Sequence, residues 1–90
     1  MNYRIQIIPS ALKELIRLPK RNQKRVDFQI LSLATQPRPN GAKALIGLEQ
    51  FYRLRVGDYR IIYKVQDQDL LILVTKIGHR KDVYRGLNKT

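Results

Sequence analysis

Residues 51–65 read FYRLRVGDYRIIYKV. Gly57-Asp58 separates two runs of alternating residues, which is the pattern of a β-hairpin closed by a two-residue turn. Glycine accepts the positive φ that such turns require. A two-residue turn also fixes the register. Val56 then faces Tyr59, Arg55 faces Arg60 and Leu54 faces Ile61. Side chains alternate between the two faces of a strand. One face therefore collects Tyr52, Leu54, Val56, Tyr59, Ile61, Tyr63 and Val65, and is expected to lie on the core. The other carries Arg53, Arg55, Arg60 and Lys64, with Phe51 and Ile62 among them.

Around this hairpin the chain reads as α+β. Residues 2–8 alternate Tyr3, Ile5 and Ile7 against polar positions, which is strand spacing. Pro9 stops that strand, and Ser10 is expected to cap a first helix whose stripe is Leu12, Leu15, Ile16 and Leu18. Pro19 ends it. A second helix is predicted over residues 20–35, with Val26, Ile30, Leu33 and Ala34 at helical spacing. QPRPNGAK at 36–43 is a loop. Leu45, Ile46 and Leu48 mark a short apolar segment approaching the sheet. QDQD at 66–69 turns the chain into a last strand at 70–77, LLILVTKI, and the tail from Gly78 is expected to form one short turn or helix. The predicted order is β-α-α-β-β-β, a helical hairpin on a mostly antiparallel sheet, with residues 1–90 as one domain.

Eighteen Lys and Arg face seven Asp and Glu, a formal net charge of +11. Nine basic and two acidic residues lie up to residue 45, and nine and five after it, so the excess is not confined to a tail. Solubility needs far less charge, and charge of this density destabilises a compact chain by self-repulsion. A polyanionic partner is expected, RNA above all. With no cysteine there is no disulfide or thiolate metal site. One histidine makes a zinc site implausible, and no metal or cofactor is expected. No apolar run approaches the roughly 18 residues of a membrane helix, and the N-terminus lacks the layout of a signal peptide. A cytoplasmic protein with no membrane partner is expected.

Arg55 opposite Arg60, with Arg53 beside them, opposes like charges across a sheet, which costs a few tenths of a kcal/mol or more. A fold does not need that arrangement. A phosphate site does, because guanidinium groups hold oxygens bidentately. The competing reading is a solvated face paired with carboxylates, for which only Asp58 is near in sequence. The last strand runs back toward the 57–58 turn and should deliver Gly78, His79, Arg80 and Lys81 to the same end. Tyr84 lies four residues beyond Arg80 and would share its side of a helical turn, offering a ring for base stacking. It could equally close the edge of the core.

RNA cleavage without a metal attacks with the 2′-hydroxyl and needs proton transfer as well as phosphate stabilisation. This chain is rich in the second and poor in the first. His79 is its one histidine, and Glu14 and Glu49 are its glutamates. Arginine, with a pKa above about 12, is a strong electrostatic stabiliser and a weak proton shuttle. An enzyme built from these residues acts well only if something else positions the RNA.

FYRLRVGDYRIIYKV and LLILVTKIGHRKDVYR together resemble the RelE toxins of bacterial type II toxin–antitoxin pairs, and the order of elements matches over nearly the whole chain. The resemblance implies a microbial-ribonuclease-like α+β fold, and a ribosome-dependent, metal-independent endoribonuclease that cuts mRNA in the ribosomal A site and stops translation. Its implied partners are the ribosome, mRNA and an acidic RelB-like antitoxin. Arg53 and Arg55 match two basic positions where the family often has lysine, one of them proposed as general base. Arg60 matches the arginine that stabilises the phosphate, Arg80 the proposed general acid, and Tyr84 the tyrosine that orients the nucleotide. The resemblance thus makes Arg55, Arg60, Arg80 and Tyr84 catalytic candidates; Arg53, Lys64, His79 and Lys81, placed on or beside the same basic face, are RNA-binding candidates. Two readings compete: a ParE-like poison of DNA gyrase on the same fold, and an RNA-binding module without a reaction.

Overall fold

The structure, a computed structural model, describes residues 2–79. Its elements are β1 (Arg4–Ile7), α1 (Pro9–Ile16), α2 (Lys20–Ser32), β2 (Lys43–Ala44), β3 (Phe51–Val56), β4 (Tyr59–Gln66) and β5 (Leu71–His79), with a 3₁₀ turn at Asp67–Asp69. The strands form one sheet in the order β1-β5-β4-β3-β2. β1 runs parallel to β5 and the other pairs are antiparallel. A parallel partner cannot be reached through a tight hairpin, and the two helices supply the crossover. The expected α+β architecture is the one found, with one more strand than the sequence reading gave.

The hairpin has the predicted register, Val56 to Tyr59, Arg55 to Arg60 and Leu54 to Ile61. Gly57 takes φ +62° and Asp58 stays at negative φ, the signature of a type II′ turn, whose twist suits the flanking strands. The core lies on the predicted face. Ile61, Tyr63 and Val65 of β4 pack with Leu54 and Val56 of β3, Ile72, Val74 and Ile77 of β5, and the helix residues Ala11, Leu15, Val26 and Ile30.

Local details differ from the sequence reading at four places. Ser10 is not the N-cap of α1. The proline ring fixes a helical φ at Pro9 and drives Ile8 to extended backbone (ψ 154°), so Pro9 is the first helical residue and Ile8 the cap. The helix seats Ala11 and Leu15, an i,i+4 pair, on the sheet, whereas Leu12 and Ile16 lie about 100° further round and are 45% and 60% exposed. α2 stops at Ser32, and Ala34 and Thr35 continue with bonds to carbonyls three residues back. Finally, Ile46 is fully exposed. Lys43 and Ala44 join the sheet instead, opposite Arg53 and Tyr52.

β1 ends at Ile7, which leaves the β5 edge beyond Val74 without a strand partner. Glu14 of α1 covers it: Oε1 accepts the Ile77 N–H at 3.1 Å, and Oε2 lies 3.5 Å from Lys76 Nζ. The carboxylate thus satisfies a backbone donor that a sheet edge would otherwise leave open. Across β4, Ile62 pairs with Lys76 but Tyr63 pairs with Val74, so Thr75 is an extra residue, a β-bulge. The Thr75 hydroxyl donates to the Ile62 carbonyl at 3.2 Å. The bulge shifts the alternation by one, which returns Ile77 to the core face after Val74.

The end of the sheet at the Asp67–Asp69 turn is held by a polar network. Arg38, in the loop after α2, donates to both Asp67 oxygens (2.7 and 3.3 Å) and to the Tyr52 hydroxyl (2.9 Å), and Tyr3 donates to Asp67 at 2.6 Å. The Arg38 guanidinium first, and the Tyr3 hydroxyl second, hold the Asp67 carboxyl below the usual carboxylate range. Tyr63, ring-stacked on Tyr52 at 5.9 Å, donates to the Pro37 carbonyl at 2.8 Å. Burial pushes its phenol up to about 12. The loop is therefore fixed to the sheet just before it delivers Gly41 and Lys43 to the opposite end.

Candidate functional site

Lys43 of β2, Arg53 and Arg55 of β3 and Arg60 of β4 surround a concavity of about 340 Å³, closed on one side by Gly41. Strand alternation and register account for the assembly. Lys43 lies opposite Arg53, and Arg55 opposite Arg60, all on the sheet face that turns away from the helices. Gly41 sits at φ +95°, a conformation side-chain-bearing residues rarely take, and so brings the loop back onto β3.

The electrostatics are one-sided. Among the described residues the ion pairs are Arg38–Asp67 and Lys76–Glu14, and neither Arg53 nor Arg55 has a described carboxylate within 4.0 Å. Arg55 is steered by the turn instead, its Nε donating to the Gly57 carbonyl at 2.9 Å. That bond leaves its terminal nitrogens for another acceptor. Four cationic side chains converging on one concavity, two of them directly opposed, suit an oxyanion that takes several donors at once.

The remaining candidates divide. Lys64 shares the face, but it lies four residues along β4 from Arg60, roughly 13 Å at the usual strand rise, with its ammonium 5.8 Å from the Phe51 ring. It stands apart from the concavity. His79 pairs with Tyr59 and sets its ring edge-on to the Tyr59 ring at 5.8 Å, on the helix side of the sheet. The structure therefore does not bring His79 together with Arg55 and Arg60. It is Gly78 that lies opposite Arg60. Arg80, Lys81 and Tyr84 lie outside the described residues. Lys43 was missed by the sequence reading, which took 36–43 as loop. Its position next to the apolar Ala44 and Leu45 was the one available sign of a strand.

Among the described residues, no His, Asp or Glu lines the concavity. What it can do chemically is hold a phosphate and neutralise charge that grows on it. Such stabilisation by preorganised donors is commonly the largest part of catalysis at phosphorus.

The fold is that of the toxin half of a type II toxin–antitoxin pair. Residues 5–84 match the family described as the ParE toxin of the type II toxin–antitoxin system parDE, and the chain belongs to this RelE/ParE superfamily. Within it the chain is a RelE-like toxin. It is 34% identical over 89 residues to RelE1 of Methanocaldococcus jannaschii, aligning 96% of this chain with 99% of that one. It is 30% identical over 84 residues to the toxin RelE of Mycobacterium tuberculosis, covering 92% and 87% of the two chains. Among solved structures, RelE in the archaeal RelE–RelB complex of Pyrococcus horikoshii superposes with a TM-score of 0.79 at 34% identity, covering 89% of this chain and 97% of that one.

Proposed function

We propose that this toxin is a ribosome-dependent endoribonuclease that cleaves mRNA in the ribosomal A site and so arrests translation in the cytoplasm. The observation that carries the reading is the concavity of Lys43, Arg53, Arg55 and Arg60, which suits a phosphodiester and, among the described residues, has no lining group with an ordinary pKa near 7. A site of this kind stabilises a pentacoordinate phosphate but moves protons poorly. Its rate then depends on how the RNA is held, because orientation alone can supply several kcal/mol of the barrier. The ribosome supplies that orientation. Arg60 holds the phosphate oxygens and Arg55 and Arg53 guide the strand. Arg80 and Tyr84 act from the C-terminal segment, the first on the leaving oxygen and the second on the nucleotide.

The partner that restrains the toxin is a RelB-like acidic antitoxin. The complex with RelB in the Pyrococcus horikoshii relative supports this, and so does the charge of +11, which an acidic and partly disordered chain neutralises as it folds on the surface. The test is primer extension on an mRNA in a translation reaction beside the same mRNA alone. New ends at codons in an empty A site, with the naked RNA intact, are expected. Efficient cutting of free RNA would remove the ribosome from the mechanism. A second reading, poisoning of DNA gyrase, takes its support from the family match, which is worded for ParE. It predicts loss of supercoiling by purified gyrase and no cut mRNA.

A further inference from the structure

We propose that the groove between α2 and the 57–58 turn is a second subsite for single-stranded RNA, in which Phe28 stacks on a nucleobase and Lys24 and Arg25 hold its flanking phosphates. The proposal rests on the reading that the arginine concavity takes RNA, and extends it across the hairpin tip.

The groove encloses about 420 Å³ and is lined by Lys24, Arg25, Phe28 and Gln29 of α2, facing Arg55 and Gly57 of the hairpin. Phe28 is 69% exposed there. A single exposed aromatic residue needs no explanation by itself. Its company does. Three cations and a side-chain amide line the groove, and among the described residues no carboxylate does. Asp27, the neighbour of Phe28 in sequence, lines a different concavity with Leu12, Ile16 and Lys20 on the outer side of the helix pair. That second concavity mixes both signs of charge with aliphatic side chains. Among the described residues, the Phe28 groove combines a flat π-face with positive charge only, which is the combination that single-stranded nucleic acid recognition uses: stacking takes any base, and the cations follow the backbone.

Continuity with the arginine concavity is the second argument. Arg55 lines both, standing on the ridge between them. Gly57 keeps the ridge low. A Cβ there would lie 3.2 Å from the Arg25 guanidinium, so the bare backbone lets Arg25 rest against the turn. A strand whose phosphate sits among Arg53, Arg55 and Arg60 can therefore cross the tip and present its neighbouring base to Phe28. A protein helix would need an apolar stripe of several exposed side chains, and this groove offers the Phe28 ring and the largely buried Val56 among charges.

The experiment measures binding of two oligoribonucleotides to the full chain, one short enough to fill only the arginine concavity and one long enough to cross the tip, both carrying 2′-O-methyl groups to block cleavage. Phe28→Leu should weaken the long oligonucleotide about 5- to 100-fold, the range for one stacked base, and leave the short one unchanged. Phe28→Tyr should restore the long-oligonucleotide affinity. Because Phe28 is exposed, both variants should melt with the wild type. If Arg60→Ala weakens both oligonucleotides while Phe28→Leu weakens neither, the subsite is overturned and the arginine concavity stands. If Arg60→Ala also changes nothing, the parent reading fails with it. If Phe28→Leu instead weakens only an acidic antitoxin, the groove is a protein interface and the proposal is wrong.

Discussion

The two ends of the sheet use arginine in opposite ways. At the Asp67–Asp69 end, Arg38 is matched within the chain: both Asp67 oxygens and the Tyr52 hydroxyl accept from it, and Tyr3 completes the carboxylate's shell. At the Gly57–Asp58 end, Arg53, Arg55 and Arg60 converge with Lys43 on a concavity that, among the described residues, no carboxylate lines. The acidic residue in that turn, Asp58, makes no ion pair with Arg53 or Arg55. A fold selected only for stability would be expected to treat both ends like the first. On the proposed function the anion for the second end arrives from outside, and Arg53 and Arg55 differ from Arg38 by their partners and not by their residue type.

The sharpest way to break this comparison is to truncate one arginine at each end. Arg60→Ala should lower single-turnover mRNA cleavage on ribosomes about 100- to 1000-fold, the usual cost of one donor to a developing oxyanion. Its melting temperature should fall little. Arg38→Ala should do the reverse, lowering stability while most cleavage remains. Near wild-type cleavage by Arg60→Ala would place the chemistry elsewhere.

Salt dependence refines the contrast. Arg53→Ala and Arg55→Ala should each flatten the slope of log affinity for single-stranded RNA against log salt by about 0.7, one phosphate contact apiece. Arg38→Ala should leave that slope unchanged, since Asp67 already neutralises it. Equal slopes in all three would mean the open end is not where the polyanion lies.

Smaller effects are expected at the closed end. Tyr63→Phe removes the bond to the Pro37 carbonyl and should cost about 1 kcal/mol in denaturant unfolding. The folded phenol titrates at about 12 against 10.0 in the unfolded chain, so the neutral form is favoured on folding. That contribution is present below pH 10 and is lost as pH rises toward 12, and Tyr63→Phe should lessen the alkaline loss of stability. Asp67 works with the opposite sign. Its folded pKa is depressed below 3.8, so its contribution is present above that value and disappears as pH falls through the folded pKa. Asp67→Asn should flatten the acid limb of the stability profile. Half-exposed in water, this pair should show the smallest change of the set.

Much of this was legible in the sequence. The Gly57-Asp58 turn set the register, and period-two alternation then put Tyr52, Leu54, Val56, Tyr59, Ile61, Tyr63 and Val65 on the core face where they are found. The opposed pair Arg55–Arg60 followed from the same arithmetic. Three other points needed the third dimension. Lys43 reaches the concavity only because two residues of an apparent loop pair with β3, and a two-residue strand has no periodicity to detect. His79 looked like a neighbour of the arginines because the returning strand ends beside them. The bulge at Thr75 shifts the alternation by one, so Gly78 lies across from Arg60 and His79 turns to Tyr59 on the other face. The three-residue step from Val74 to Ile77 hinted at a phase change, but not at which residue absorbs it. The partner of Arg38 was likewise invisible, since Asp67 lies 29 positions away and only the folded loop brings it within 2.7 Å. Local pattern determined the strands, their faces and the opposed arginines, because alternation and turn geometry act between near neighbours. Tertiary structure decided which charges find partners and which face each strand end presents, because both depend on contacts between segments distant in the chain.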